Sequence, residues 1–104
     1  MVKDHSYYSK VEVGGVELPG NLFLAPIAGY SDVVFRSLCV EEGASFTCTE
    51  MVSSEAFVRD SKKTVDLLKK AKNESFFAVQ LFGSSSEVIS EAAKVIAEEY
   101  RPSC

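Results

Sequence analysis

The chain predicts a parallel α/β fold built from repeated strand-then-helix units. Three stretches carry that prediction: residues 22–29 (LFLAPIAG), 45–51 (SFTCTEM) and 77–83 (FAVQLFG). Each is an apolar run of strand length that gives way to polar or glycine-containing residues. The first and third lead directly into helical patterns. A strand feeding a helix, repeated, marks a parallel sheet. In an α/β barrel the loops leaving the strands' C-terminal ends build the active site, and the unusual residues of this chain all fall at that end.

Residues 11–18 (VEVGGVEL) read as a hairpin turning at Gly14-Gly15, a pair that tolerates positive φ. The pairing puts Val11, Val13, Val16 and Leu18 on one face. It sets Glu12 opposite Glu17 on the other, so that acidic face must meet water. Pro19-Gly20-Asn21 breaks the pattern before the first buried strand. Residues 22–25 are continuously apolar, as in a strand covered on both faces, and Pro26 ends the run. Ser31-Asp32 supplies an N-cap and a negative first-turn residue for the next helix. Val34, Phe35, Leu38 and Cys39 recur at helical spacing there, and Gly43 suits the C′ position.

A second strand is expected at 45–49. After Met51 comes a longer connection with a helix near residues 61–70, and the third strand covers 76–82. Ser84-Ser85-Ser86-Glu87 reads as a capping box. The helix it opens buries Val88, Ile89, Ala92, Ala93 and Ile96. Pro102 closes that helix, and Ser103-Cys104 reads as the opening of a fourth strand.

With 104 residues, 46% apolar and 25% charged, the composition is that of one ordinary globular domain. The net charge of −4 gives no overall basic field for nucleic acid, which leaves open an RNA substrate held by residues elsewhere. No apolar run approaches the ~18 residues of a membrane span. Residues 1–10 (MVKDHSYYSK) read as a flexible tail without the apolar stretch of a signal peptide, and His5 within it as a free surface imidazole. Cys39, Cys48 and Cys104 are odd in number and lack C-x-x-C spacing. That argues against a disulfide framework or metal site and for a reducing cytoplasm. Three strands with their helices leave an open sheet edge, whereas a closed (β/α)8 barrel takes about 250 residues. Residues 11–104 are therefore expected to be a partial domain, truncated at its C-terminal end.

Several residues are candidates for chemistry. Pro26-Ile27-Ala28-Gly29 is either an ordinary strand-to-helix turn or a loop whose small residues let the backbone approach a flat ligand. Gln80 is the only strongly polar side chain in its strand and shares a face with Ala78 and Phe82. It either bonds to backbone or offers its amide to a ligand such as the imide edge of a flavin. Glu50 at the same mouth can orient a substrate or make a structural bond, and the structural role is favoured. Arg36 can face the cleft or pair with a carboxylate, and the ion pair is favoured. Lys62, Lys63, Lys69, Lys70 and Lys72 read as a solvated face rather than a phosphate site, with Asp66 and Glu74 diluting them. Cys39 and Cys48 read as core residues. Cys104 lacks a histidine partner and stands at the wrong end of a strand for catalysis.

Taken together, residues 24–36 (LAPIAGYSDVVFR), 41–54 (EEGASFTCTEMVSS) and 78–93 (AVQLFGSSSEVISEAA) resemble the N-terminal part of the tRNA-dihydrouridine synthases. The three blocks occur in the family's order and spacing, and the resemblance runs from about Val11 to the last residue. It implies the first part of a (β/α)8 TIM barrel, about three βα units preceded by the small hairpin, followed in the family by a helical RNA-binding domain. It further implies an oxidoreductase that holds FMN at the barrel mouth, is recharged by NADPH, and reduces a tRNA uridine to 5,6-dihydrouridine. Carried over by position, Pro26, Ile27 and Ala28 match the loop lining the flavin, and Gln80 the flavin-contacting glutamine. Ile27 stands where methionine is usual and Val34 where proline is common. The family's catalytic cysteine, in an Asn-x-Gly-Cys-Pro loop, is expected beyond Cys104, so the fragment alone should be inactive. The rival expectations are another FMN-dependent barrel acting on a small molecule, and a non-catalytic remnant.

Overall fold

The computed structural model describes residues 7–104. His5 and most of the expected flexible tail lie outside the described residues. Strands β1 (Val11–Val13) and β2 (Val16–Leu18) pair antiparallel, with Val11 opposite Leu18 and Val13 opposite Val16. Gly14 and Gly15 both have positive φ, 57° and 82°, the conformation a two-residue type I′ turn demands. Glu12 faces Glu17 on the exposed side, where the Lys10 ammonium lies 3.5 Å from the Glu17 carboxylate. Leu18 is the hairpin residue that is fully buried.

Beyond the hairpin, four extended segments lie side by side in chain order. Phe23 bridges Phe46 in parallel, flanked by bonds from Ser45 N–H to Leu22 O and from Leu24 N–H to Phe46 O, both 2.9 Å. Strand β3 (Thr47–Cys48) pairs in parallel with β5 (Phe77–Ala78). Ser103 N–H donates to Phe77 O at 2.8 Å, and Val79 N–H to Cys104 O at 3.0 Å, so the last residues run along the far edge of β5.

The second and third strands are each shorter and more broken than the apolar runs suggest. Strand β4 (Val52–Ser53) resumes after β3 and pairs in parallel with β6 (Leu81–Phe82). Between the two pairs, Thr49 N–H bonds to Ala78 O and Val52 N–H to Gln80 O. Three steps on one strand thus match two on the other, a β-bulge at Glu50-Met51. It reverses the strand's parity. Thr47 and Thr49 are buried before it and Val52 after it, all on the helix side.

Four helices follow the strands: α1 (Val33–Glu41), α2 (Ser54–Val58), α3 (Lys62–Asp66) and α4 (Ser86–Glu99). Val52, Phe57, Leu68, Ala92 and Ile96 form the core between sheet and helices, with Val79 and Leu81 packed against it. The caps differ in detail from the sequence expectation. Asp32 itself is the N-cap of α1, accepting from Phe35 N–H at 2.8 Å, which leaves no acid in the first turn. Ser85, not Ser84, caps α4 through Val88 N–H, so Glu87 makes no capping box. The five-residue α2 is too short to show periodicity in sequence. In α4 the buried stripe narrows to Ala92 and Ile96, with Val88 and Ile89 half-buried and Ala93 exposed on its rim.

Helix α1 inverts its expected polarity. Val34, Phe35 and Leu38 are exposed, and Arg36 is the residue that is buried. Its charge is matched inside, whereas the described residues put no layer over the apolar side. For the same reason Leu22 and Phe23, expected to be covered on both faces, are exposed. On the sheet face away from the helices, Phe23 and Phe46 pack with ring centroids 5.3 Å apart. With hairpin residues Val13, Val16 and Leu18 and with Cys104 they line an apolar cavity of about 250 Å³. The hairpin therefore sits at the strands' N-terminal ends, opposite the loops described next.

Candidate functional site at the strand C-terminal ends

The loop after the first extended segment is a tightly bonded turn. Ile27 O accepts from Tyr30 N–H at 3.0 Å and from Ser31 N–H at 2.9 Å. Gly29 has φ 83°, the value a type II turn requires at its third position and a Cβ would penalise. The Ser31 hydroxyl accepts from Ile27 N–H at 2.8 Å and donates to Ile27 O at 3.0 Å, closing both backbone groups of one residue. Ser31 has no exposed surface. Ile27, Ala28 and Gly29 stand exposed at the tip, with Pro26 half-buried behind them.

A second strand reaches the loop from the side. The Glu50 carboxylate, carried by the bulge, accepts from Gly29 N–H. Gln80 lies one strand further on. Its carbonyl takes the Val52 N–H at 2.8 Å, and its own N–H donates to Thr49 Oγ1 at 3.2 Å. Ala78 shares a face with Cys48, so alternation sends the Gln80 side chain to the face away from the helices, where it is exposed. Pro26, Ile27, Ala28, Glu50 and Gln80 are thereby gathered at one end of the sheet. The arrangement offers an exposed loop of Ile27, Ala28 and Gly29 and an exposed primary amide, with the Glu50 carboxylate turned to the loop backbone.

Arg36 is placed elsewhere. With 1% of its surface exposed, its guanidinium is enclosed behind the loop. Nε donates to Glu74 Oε2 at 2.9 Å, Nη1 to Ser31 O at 2.9 Å and Nη2 to Lys69 O at 2.6 Å. Glu74 also accepts from Thr47 Oγ1 at 2.5 Å and from Ala71 N–H at 2.9 Å. Burial alone pushes the Glu74 carboxyl up, but the Arg36, Ala71 and Thr47 hydrogen bonds outweigh it and hold the group below its ordinary value. Glu74 is thus an internal anion rather than a surface acid among lysines. The lysines themselves are exposed: Lys69 pairs with Asp66 at 3.1 Å, and Lys70 Nζ lies 5.3 Å from the Phe77 ring centre.

Cys39 and Cys48 are half-buried and Cys104 is exposed. Burial, reinforced by Cys104 and partly offset by Arg36, pushes the Cys48 thiol up, so it stays protonated at neutral pH. Among the described residues no group of three or more acidic, histidine or cysteine side chains is set to hold a metal ion. No helix among them is long and apolar enough to cross a membrane. Sequence reasoning missed Ser31 and Glu74 as parts of this site. Ser31-Asp32 did hold a signal, since two capping residues stand in a row and only one can cap.

Residues 23–102 match the family profile described as Dihydrouridine synthase (Dus). Over 103 residues, 99% of this chain, the sequence is 52% identical to a probable tRNA-dihydrouridine synthase of Treponema pallidum. It is 33% identical over 86% of its length to a tRNA-dihydrouridine synthase B of Shewanella oneidensis. It is also 33% identical, over 78% of its length, to a Coprinopsis cinerea tRNA-dihydrouridine(47) synthase whose name specifies NAD(P)(+). The chain spans 30%, 28% and 12% of these relatives' lengths, respectively.

Proposed function

Because the chain belongs to the dihydrouridine synthase family, we propose that it forms the first part of an FMN-dependent barrel enzyme that reduces the 5,6 double bond of tRNA uridines, with NADPH as electron source. What supports the reading is the convergence of the 26–28 loop, Glu50 and Gln80 at the strand C-terminal ends, the face from which such barrels act. The chemistry of these residues suits a flavin. Ile27 and Ala28 offer exposed apolar surface at a backbone loop, and Gln80 offers a donor and an acceptor for the imide edge. FMN, when bound, supplies the hydride chemistry that no side chain provides. The chain's own part is to present the loop against the ring, to bond the ring edge through Gln80, and to hold both on a hydrogen-bonded sheet. The tRNA, the proton-donating cysteine and the phosphate-binding groups are assigned to regions beyond these residues, and the setting is the cytoplasm.

Two measurements test this. The dihydrouridine content of tRNA, compared between cells with and without the gene, is expected to fall at one or more positions in its absence. Unchanged content in cells without a paralogue would sink the tRNA reading and turn attention to a small-molecule substrate. In the full-length protein, Gln80→Ala is expected to weaken FMN binding about tenfold, the cost of one desolvated amide pair. Unaltered affinity would remove Gln80 from the site.

A further inference from the structure

The 26–29 loop is held by two unlike struts. On its inner limb, Ile27 is closed onto Ser31, and Ser31 O is in turn gripped by Arg36, whose guanidinium is locked by Glu74. Every member of that chain from Ser31 inward is buried. On its outer limb, the tie among the described residues is the bond from Gly29 N–H to the Glu50 carboxylate. The tip is exposed, so water competes for the Gly29 amide, and an ionised acceptor wins that competition better than a neutral one. Without that tie Gly29 is held only by the turn bonds from Tyr30 N–H and Ser31 N–H to Ile27 O, and glycine, which populates both signs of φ about equally, leaves the positive-φ well more readily.

We propose that Glu50 is a positioning residue. By accepting the Gly29 N–H, it keeps the outer limb of the loop in the conformation that meets the flavin, and it does not itself bind substrate. The inference rests on the flavin reading above. A loop ordered before the ligand arrives spares the ligand the cost of ordering it, so the bond raises affinity without touching the ring. The bulge has a part in this. It lets the strand carry Glu50 toward the loop while Val52 returns to the core.

The test compares wild type, Glu50→Ala and Glu50→Gln in the full-length protein. The readouts are Gly29 amide hydrogen exchange without flavin and the FMN dissociation constant by fluorescence quenching. In Glu50→Ala, exchange at Gly29 is expected to quicken about tenfold and FMN affinity to fall about five- to tenfold, the scale of one charge-assisted hydrogen bond. Glu50→Gln keeps a carbonyl acceptor without the charge and is expected to fall between wild type and the alanine variant in both readouts. Unchanged exchange or unchanged FMN affinity in Glu50→Ala overturns the proposal. So does a glutamine variant that regains Gly29 protection yet binds FMN as poorly as the alanine one, which would mean that the carboxylate contacts the ligand. A wild type that binds no FMN overturns the flavin reading and the ligand named here, while the exchange data still decide whether Glu50 holds the loop.

Discussion

Arg36 and Glu74 stand 38 residues apart in sequence and 2.9 Å apart in space, Nε to Oε2, with side chains 2% and 0% exposed. The pair ties α1 to the segment before β5 and, through Thr47, to the middle of the sheet. Its hydrogen-bonding capacity is filled by Ser31 O, Lys69 O and Ala71 N–H, as a buried ion pair requires.

Breaking that pair from one side leaves a buried charge without a partner. Arg36→Met is expected to destabilise the protein by about 3–5 kcal/mol. Combining it with Glu74→Leu is expected to cost less than either change alone, because no charge is then stranded. A double-mutant cycle by urea unfolding reads this directly, and purely additive losses would show that the two side chains are not coupled.

The same pair sets an acid limit. Glu74 has a folded-state pKa lowered from 4.5. Below 4.5 the unfolded chain takes up this proton while the folded one resists. The contribution is therefore complete above 4.5 and is lost as pH falls through the lower folded-state value. Stability measured from pH 7 down to pH 3 should decline below 4.5, with a shallower slope in Glu74→Gln. An identical slope in the variant would assign the acid sensitivity to other groups.

The start of α4 distinguishes two adjacent serines. Ser85 Oγ accepts from Val88 N–H at 3.4 Å, whereas Ser84 reaches only the Glu55 side chain at 3.5 Å. Ser85→Ala is expected to cost about 1 kcal/mol and Ser84→Ala close to nothing. Thermal unfolding of the two variants checks the order, and a larger loss at Ser84 would restore the capping box.

Gly83 is fixed by crowding. A Cβ there would lie 2.3 Å from Ser54 Oγ and 3.1 Å from Ile89 Cγ1. Ser54 is fully buried, and its hydroxyl donates to Phe82 O at 2.9 Å, so it cannot swing aside without losing that bond. Gly83→Ala should cost about 1–3 kcal/mol, the usual range for overpacking. A variant with wild-type unfolding midpoint would mean that β6 and α4 part easily.

The sequence was most legible where a signal is local. The Gly14-Gly15 turn and the apolar spacing of α4 announce themselves within a few residues, and 22–29 reads as a run ending in a proline loop. The burial of Arg36 was not legible, since its partner lies 38 residues away and nothing in VVFRSLC says which side faces in. The mouth was read from residues 26–29, Glu50 and Gln80, yet the partner that Glu50 takes, Gly29 N–H, and the closing of Ile27 by Ser31 were not. A side chain's type suggests what it can bond to, but only the fold brings Gly29 and Glu50 together across 21 positions.

The extra residue at Glu50-Met51 has a consequence for how this strand tolerates change. A regular strand hands every second residue to the core, so each new surface residue displaces an inward one. Here one added residue absorbs the alternation, and two neighbours, Glu50 and the exposed Met51, both escape the helix-side core while Val52 keeps its berth. Chain length at this point is therefore a variable in its own right. Among relatives, a one-residue gap here would trim the rim and spare the interior, making such a gap a sharper marker of an altered rim than any single substitution in the same strand.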